Sequence, residues 1–285
     1  MSYSSKLKKE LCAVIPSARH CDIAEITALT MYIAKFEISN GETKSVIINT
    51  ESHDIAIKYF TLLKKTFNIG NDVILRKIDS FGKKSTFKLV LDDEELVKQI
   101  LSACKFPEEF KDVKKEYNVA SSIVLRQSCC KRAFIRAAFL AIGSLSDPEK
   151  TYHFELSVGS REEADSLKKI IESFGIDIKL IIRKKNHVLY LKEAEQISEV
   201  LRLMEAPLAL MDFENTRIVK DVRNFIKEKL GLDNLPQNLQ EVAYLRLEYP
   251  EASLKELVER MDGNVGKSGL NHRLRKLSEI AQNLM

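Results

Sequence analysis

Apolar side chains recur along this chain at two spacings, and the switches between them mark its elements. A three-to-four residue spacing predicts helices over 6–14, capped by Ser4 or Ser5 and ended by Pro16, and over 22–34. The second carries Ile23, Ile26, Ala28, Leu29 and Ile33. Alternation predicts strands at 35–39 and 45–49 about a turn at Gly41. A helix over 54–67 has Ala56, Tyr59, Phe60, Leu63 and Phe67 on one face. Strands at 72–78 and 86–91, joined through Gly82, and a helix over 93–101 complete this half.

After a charged connector the plan returns. It predicts a helix over 129–142, one clear strand over 152–158, and a helix over 161–174 capped by Ser160. Strands at 177–183 and 187–191 and a helix over 193–204 follow. Phe67-Asn-Ile-Gly and Phe174-Gly-Ile-Asp fall at the same place in each half, so an internal duplication is the simplest account. Small residues suit the first helix of each half to close approach: Ala28, Leu29 and Ala34, then Ala137, Ala138, Ala141 and Gly143. Ordinary alanine-rich core helices would show the same composition. The expected units are 1–106 and 129–210 as repeats, 107–128 as connector, 211–235 as linker or helix, and 236–285 as a terminal helical domain.

In the terminal domain Ser253 caps a short helix, with Glu256 three residues on, and Leu254, Leu257, Val258 and Met261 form its stripe. Asp262, Gly263 and Asn264 break it. Ser268 is expected to cap a second helix with Leu270, Leu274, Leu277, Ala281 and Leu284 inward. Its other face holds Ser268, His272, Arg275 and Lys276, flanked by Asn271 and Arg273. Leu239, Val242, Ala243 and Leu247 supply a third helix behind the pair. A basic face on an apolar back suits a recognition helix in a major groove, although many such helices are merely solvated. The candidate DNA contacts are Lys255, Lys267, Ser268, Gly269, Asn271, His272, Arg273, Arg275 and Lys276. Hairpin turns at Lys83, Lys84, Arg183, Lys184 and Lys185 could track phosphates or be solvated tips.

Composition adds bounds. The chain has 285 residues, 45% of them hydrophobic, and a net charge of +4, so any nucleic-acid surface must come from local clustering. No run approaches the roughly 20 apolar residues of a membrane span, and no signal core opens the chain, so a cytoplasmic, nucleoid-associated protein is expected. The five cysteines show no CxxC spacing. His20-Cys21 with Cys12 invites a metal reading, but zinc ligands usually come as spaced pairs. Buried thiols and a surface His are expected there, packing at Cys129-Cys130, and no metal or cofactor. There is no GxxxxGK[ST] loop, HExxH or Ser/His/Asp set.

The string CCKRAFIRAAFLAIGSLSDPEKTYHFEL, from Cys129 to Leu156, resembles the WhiA family of bacterial sporulation and cell-division regulators. So do SSKLKKEL and His20-Cys21-Asp-Ile-Ala-Glu-Ile near the start, and LPQNLQEVAYLRLEYPEASLKELVERM and KSGLNHRLRKL near the end. The resemblance implies an α+β fold. A duplicated, degenerate LAGLIDADG homing-endonuclease-like αββαββα domain would precede an all-α helix-turn-helix domain. It also implies a DNA-binding transcription regulator whose partner is double-stranded DNA, with RNA polymerase or another regulator as a further partner. LAGLIDADG nucleases hold a divalent metal with an acid near the end of each central helix. Laid on that motif, Ile33 and Ile142 take the acidic positions, and Asp147 beside Pro148 belongs to a turn. No catalytic residue is therefore expected. The family's Asn- and Ala-rich segment between domains is missing or shortened around 211–224. A residual enzyme acting on nucleic acid and a protein-docking module are the competing readings.

Overall fold

The computed structural model describes residues 2–39, 42–69, 75–78, 85–106, 120–250, 252–261 and 265–284. They fall into two compact units, Met1–Ser146 with Tyr152–Ala206, and Asp147–Thr151 with Pro207–Met285.

The first unit opens with α1 (Tyr3–Ala13) and then runs through the same plan twice. First come α2 (Arg19–Ile33), β1 (Ala34–Ser39), β2 (Glu42–Thr50), α3 (His53–Phe67), β3 (Leu75–Ile78), β4 (Thr86–Leu91) and α4 (Glu94–Cys104). Then come α5 (Ser128–Ile142), β5 (Gly143–Leu145), β6 (Phe154–Val158), α6 (Arg161–Glu172), β7 (Lys179–Arg183), β8 (Asn186–Leu191) and α7 (Ala194–Leu203). The two antiparallel sheets have equivalent orders, β1-β2-β4-β3 and β5-β6-β8-β7. The duplicated αββαββα plan is therefore present in full. The strand that sequence reading lacked is β5, whose three residues Gly-Ser-Leu are too short to show alternation.

Local signals explain most boundaries. Ser52 and Asp93 accept from Ile55 N–H and Leu96 N–H to start α3 and α4, and Ser160 with Glu163 makes a capping box on α6. Asn68 (φ 51°) and Gly175 (φ 81°) follow α3 and α6, the left-handed stops that the repeated Phe-x-Ile motif places. The first cap differs from expectation. Ser2 caps α1 by accepting from Ser5 N–H, while Ser4 Oγ accepts from Leu145 N–H. Asp147 forms the expected turn, its carboxylate accepting from Glu149 N–H at 3.0 Å.

α2 and α5 pack against each other at the centre of this unit. Ala24, Ala28, Ala133, Ala137 and Ala138 are all buried, so little side chain separates the two backbones. Gly143 ends α5 in tight surroundings. A Cβ there would lie 2.3 Å from the Phe139 ring, which is itself stacked on Phe154 at 5.3 Å.

The second unit contains α8 (Pro207–Asp221), a π-helical continuation (Val222–Leu230), a 3-10 turn (Leu232–Asn234), α9 (Gln237–Glu248), α10 (Leu254–Arg260) and α11 (Lys267–Leu284). The stretch read as linker or helix, 211–235, lies inside these elements. Ile218, Val222, Ile226, Leu232 and Leu235 share one core with Leu239, Val242, Ala243, Leu257, Met261, Leu270, Leu274, Leu277 and Ala281. Arg246 is fully buried on α9 and donates to the carbonyls of Pro250 and Ala252 at 3.3 and 2.8 Å. It thereby fixes the loop that delivers Ser253 to the start of α10. Among the described residues no helix is long and apolar enough to cross a membrane.

Candidate nucleic-acid interface

α10 begins on a capping box: Ser253 Oγ accepts from Glu256 N–H, and Glu256 Oε2 accepts from Ser253 N–H at 2.7 Å. Those bonds hold the Glu256 carboxyl below its usual range. Leu257 is buried and Lys255 is exposed, 3.8 Å from Glu259. The breaker residues Asp262, Gly263 and Asn264 lie outside the described residues.

α11 starts two residues earlier than a cap at Ser268 would place it. Leu270 N–H donates to Gly266 O, so Lys267 opens the helix and Ser268 sits within its first turn rather than capping it. The reason is the neighbouring glycine, which can end the turn without a side-chain acceptor. The expected stripe is otherwise in place: Leu270, Leu274, Leu277 and Ala281 are buried. Opposite it Lys267, Ser268, Gly269, His272, Arg275 and Lys276 are exposed, and Asn271 is half-buried. Arg273 does something else. Its guanidinium donates to Asn238 O at 3.4 Å and lies 3.8 Å from Glu241, tying α11 to α9.

In the first unit, Lys83 and Lys84 lie outside the described residues. Arg183, Lys184 and Lys185 are exposed at the β7–β8 turn, where Lys184 has φ 56°. Register adds cations that sequence reading missed. Val46, Ile48, Leu89 and Leu91 take the buried face of the first sheet. The other face carries Lys35 opposite Ile47, and Lys88 between Asn49 and Arg76. In the second sheet Lys179 aligns with Tyr190 and Glu155, and Arg183 lies further along that face, 3.3 Å from Glu155. Alternation within each strand was the available signal, but only the pairing decides which alternate set shares a face.

Ile33 and Ile142 are the last residues of α2 and α5, both half-buried. They are the counterparts of one another, since each helix has fifteen residues. Neither can ligate a cation. Among the described residues, the group of His, Cys, Asp or Glu side chains able to surround a metal is at the opposite end of these helices. It comprises His20, Cys21, Cys129 and Cys130, without Cys12. His20 Nδ1 is 3.3 Å from Cys21 Sγ, 3.2 Å from Cys130 Sγ and 4.0 Å from Cys129 Sγ. Burial, then the hydrogen bond with Cys129, pushes the Cys21 thiol up to about 12, and burial raises Cys130. The structure thus joins two Cys-containing pairs that sequence reading treated as separate packing residues.

Three family models match the chain. They are the WhiA N-terminal LAGLIDADG-like domain over residues 19–106, the WhiA LAGLIDADG-like domain over 131–223, and the WhiA C-terminal HTH domain over 215–281. A probable cell division protein WhiA of Lachnoclostridium phytofermentans is 43% identical over 313 residues, covering 100% of this chain and 99% of that relative. One from Thermoanaerobacter pseudethanolicus is 38% identical, covering 100% and 98%. The first alignment is longer than this chain, so that relative carries residues with no counterpart here. In fold the chain is similar to full-length DUF199/WhiA from Thermatoga maritima, with TM-score 0.52, 20% identity, and 100% and 99% of the two chains covered. It is also similar to the N-terminal LAGLIDADG domain of DUF199/WhiA, with TM-score 0.50, 19% identity, and 70% and 89% covered.

Proposed function

The chain belongs to the WhiA family, and from that premise we propose that it is a sequence-specific DNA-binding transcription regulator of cell division and sporulation. In this reading it works in the cytoplasm on the nucleoid and does not cut DNA. The observation that carries the reading is α11, whose inner stripe is buried while Lys267, His272, Arg275 and Lys276 stand exposed on the other side.

Each residue then has a role. Arg275, His272 and Asn271 reach base edges, where Arg suits guanine and Asn suits adenine. Lys267, Lys276 and Lys255 meet phosphates, as do the backbone N–H groups of Ser268 and Gly269 at the helix start. Arg273 braces the helix against α9. The basic sheet faces at Lys35, Arg76, Lys88, Lys179 and Arg183, and the turn Lys184-Lys185, form a second, sequence-tolerant surface. Loss of nuclease chemistry follows from Ile33 and Ile142, because phosphodiester cleavage through a metal needs oxygen ligands at those helix ends.

Mobility shifts with genomic fragments and with random duplexes of equal length test this. Preference for a subset of genomic fragments, weakening steeply with salt, is expected. Equal binding to all duplexes, or none, would refute sequence-specific regulation. Incubation with duplex DNA and Mg2+ or Mn2+ should leave the DNA intact, and metal-dependent cutting lost on replacing a carboxylate would refute the non-nuclease reading.

A further inference from the structure

We propose that His20, Cys21, Cys129 and Cys130 bind one zinc ion that clasps the N-terminal ends of α2 and α5 and so cross-links the two repeats. The positions are matched. His20 and Cys129 are the second residues of their helices, and Cys21 and Cys130 the third. Each repeat therefore contributes two adjacent ligands at the same place, and packing of the helix pair brings the four together.

The geometry suits a tetrahedral ion. The four ligand atoms all lie within 4.8 Å of one another, and the His20 nitrogen is 3.2 to 4.0 Å from the three sulfurs. Zinc bonds of about 2.3 Å to sulfur and about 2.0 Å to nitrogen give tetrahedral edges of roughly 3.5 to 3.8 Å. Small side-chain rotations bring the set onto that figure. Three thiolates and an imidazole favour zinc over the hard cations magnesium and calcium. Four protein ligands leave no open position, so the ion is structural.

The helix ends assist. Neither α2 nor α5 has a side-chain cap, and the positive ends of the two helices oppose the burial that raises Cys21 and Cys130. Cys21 and Cys130 are buried, Cys129 is half-buried and His20 is exposed, which gives the ion a way in. The site is far from the lost nuclease centre. Ile33 is twelve helical steps beyond Cys21, about 18 Å at a 1.5 Å rise per residue. Its metal holds the repeats together without touching DNA chemistry. A disulfide is the rival use of these thiols, but it would pair two and leave a third beside the imidazole.

The full chain, purified under reducing conditions, loaded with Zn2+ and desalted, should retain one equivalent by elemental analysis. Anaerobic titration with Co2+ should saturate at one equivalent, with thiolate charge-transfer and tetrahedral ligand-field bands. His20→Ala and Cys129→Ser, changes at exposed and half-buried positions, should each weaken retention by an order of magnitude or more. Cys104→Ser should retain the metal, and His20→Cys should retain it with a shifted cobalt spectrum. Chelation should lower Tm in the native chain and leave the His20→Ala chain unmoved. Substoichiometric cobalt binding to the folded native chain overturns the proposal. So does retention unaffected by His20→Ala and Cys129→Ser, or a metal-free chain whose cysteines are found as a disulfide.

Discussion

Arg136 on α5 places its Nε 2.6 Å from Oε1 of Glu25 on α2, and both side chains are almost wholly removed from solvent. The other carboxylate oxygen of Glu25 lies 2.9 Å from Lys58 Nζ, at ion-pair distance though not aligned as a hydrogen bond. Lys58 also donates to Leu11 O, and Arg136 to Met204 O and to half-exposed Glu205. One carboxylate on α2 thus anchors two cations, one from α3 and one from α5, inside the first unit. Removing one partner of such a buried set leaves an uncompensated charge, which costs more than the intact set contributes. Arg136→Ala should lower unfolding free energy by about 3–5 kcal/mol in urea titration. A loss under 1 kcal/mol would mean that water reaches the site.

Burial lowers the Lys58 pKa, with Glu25 opposing the shift. The unfolded chain therefore binds this proton more tightly than the folded one. Stability should rise as pH passes upward through the folded-state pKa, levelling near the ordinary value of 10.5. Comparing unfolding midpoints of the native and Lys58→Met chains on the alkaline side isolates this slope, which should vanish in the variant. Identical pH profiles would exclude the effect.

Arg246 supplies the only buried cation of the α9 face among the described residues, and its bonds to Pro250 and Ala252 shape the approach to α10. Arg246→Met keeps the packing volume and deletes the donors. A loss of about 1–3 kcal/mol is expected, the net worth of hydrogen bonds from a charged donor to these carbonyls. Amide exchange around Ser253 should quicken as well; a chain with unchanged exchange there would show that the loop holds its own shape.

Gly143 has a different constraint. Its backbone is extended, so conformation would permit alanine, but the Phe139 ring occupies the space. Gly143→Ala should destabilise by about 1–3 kcal/mol through overpacking. If Phe139→Leu in the same chain restores none of that loss, the crowding is elsewhere.

Variants at Arg275 and Lys184 distinguish the two proposed DNA surfaces. Arg275→Ala should weaken binding to a preferred duplex by about 1–3 kcal/mol and relax discrimination between duplexes. Lys184→Ala should reduce affinity less, evenly across sequences, and flatten the salt slope by about one. Equal losses from both would mean that α11 is not the principal reader.

How far the chain could be read depended on how local each signal is. The repeat, the caps at Ser160 and Ser253, and the two faces of α11 are legible because their partners lie within a few residues. β5 was not, since three residues carry no periodicity. Arg246 was not either, because its environment comes from a loop that folds back over it. Arg273 read as one more basic residue until α9 was set beside it.

The order of elements, the duplication and the isoleucines at the ends of the central helices are properties of the sequence itself, fixed by periodicity and residue type. Only tertiary structure decided that Glu25 meets Arg136, that Lys35 and Lys88 share outward sheet faces, and that His20-Cys21 faces Cys129-Cys130. The physical reason is that such meetings depend on helix packing and strand register between segments far apart in the chain, and a residue's own neighbours carry no information about either.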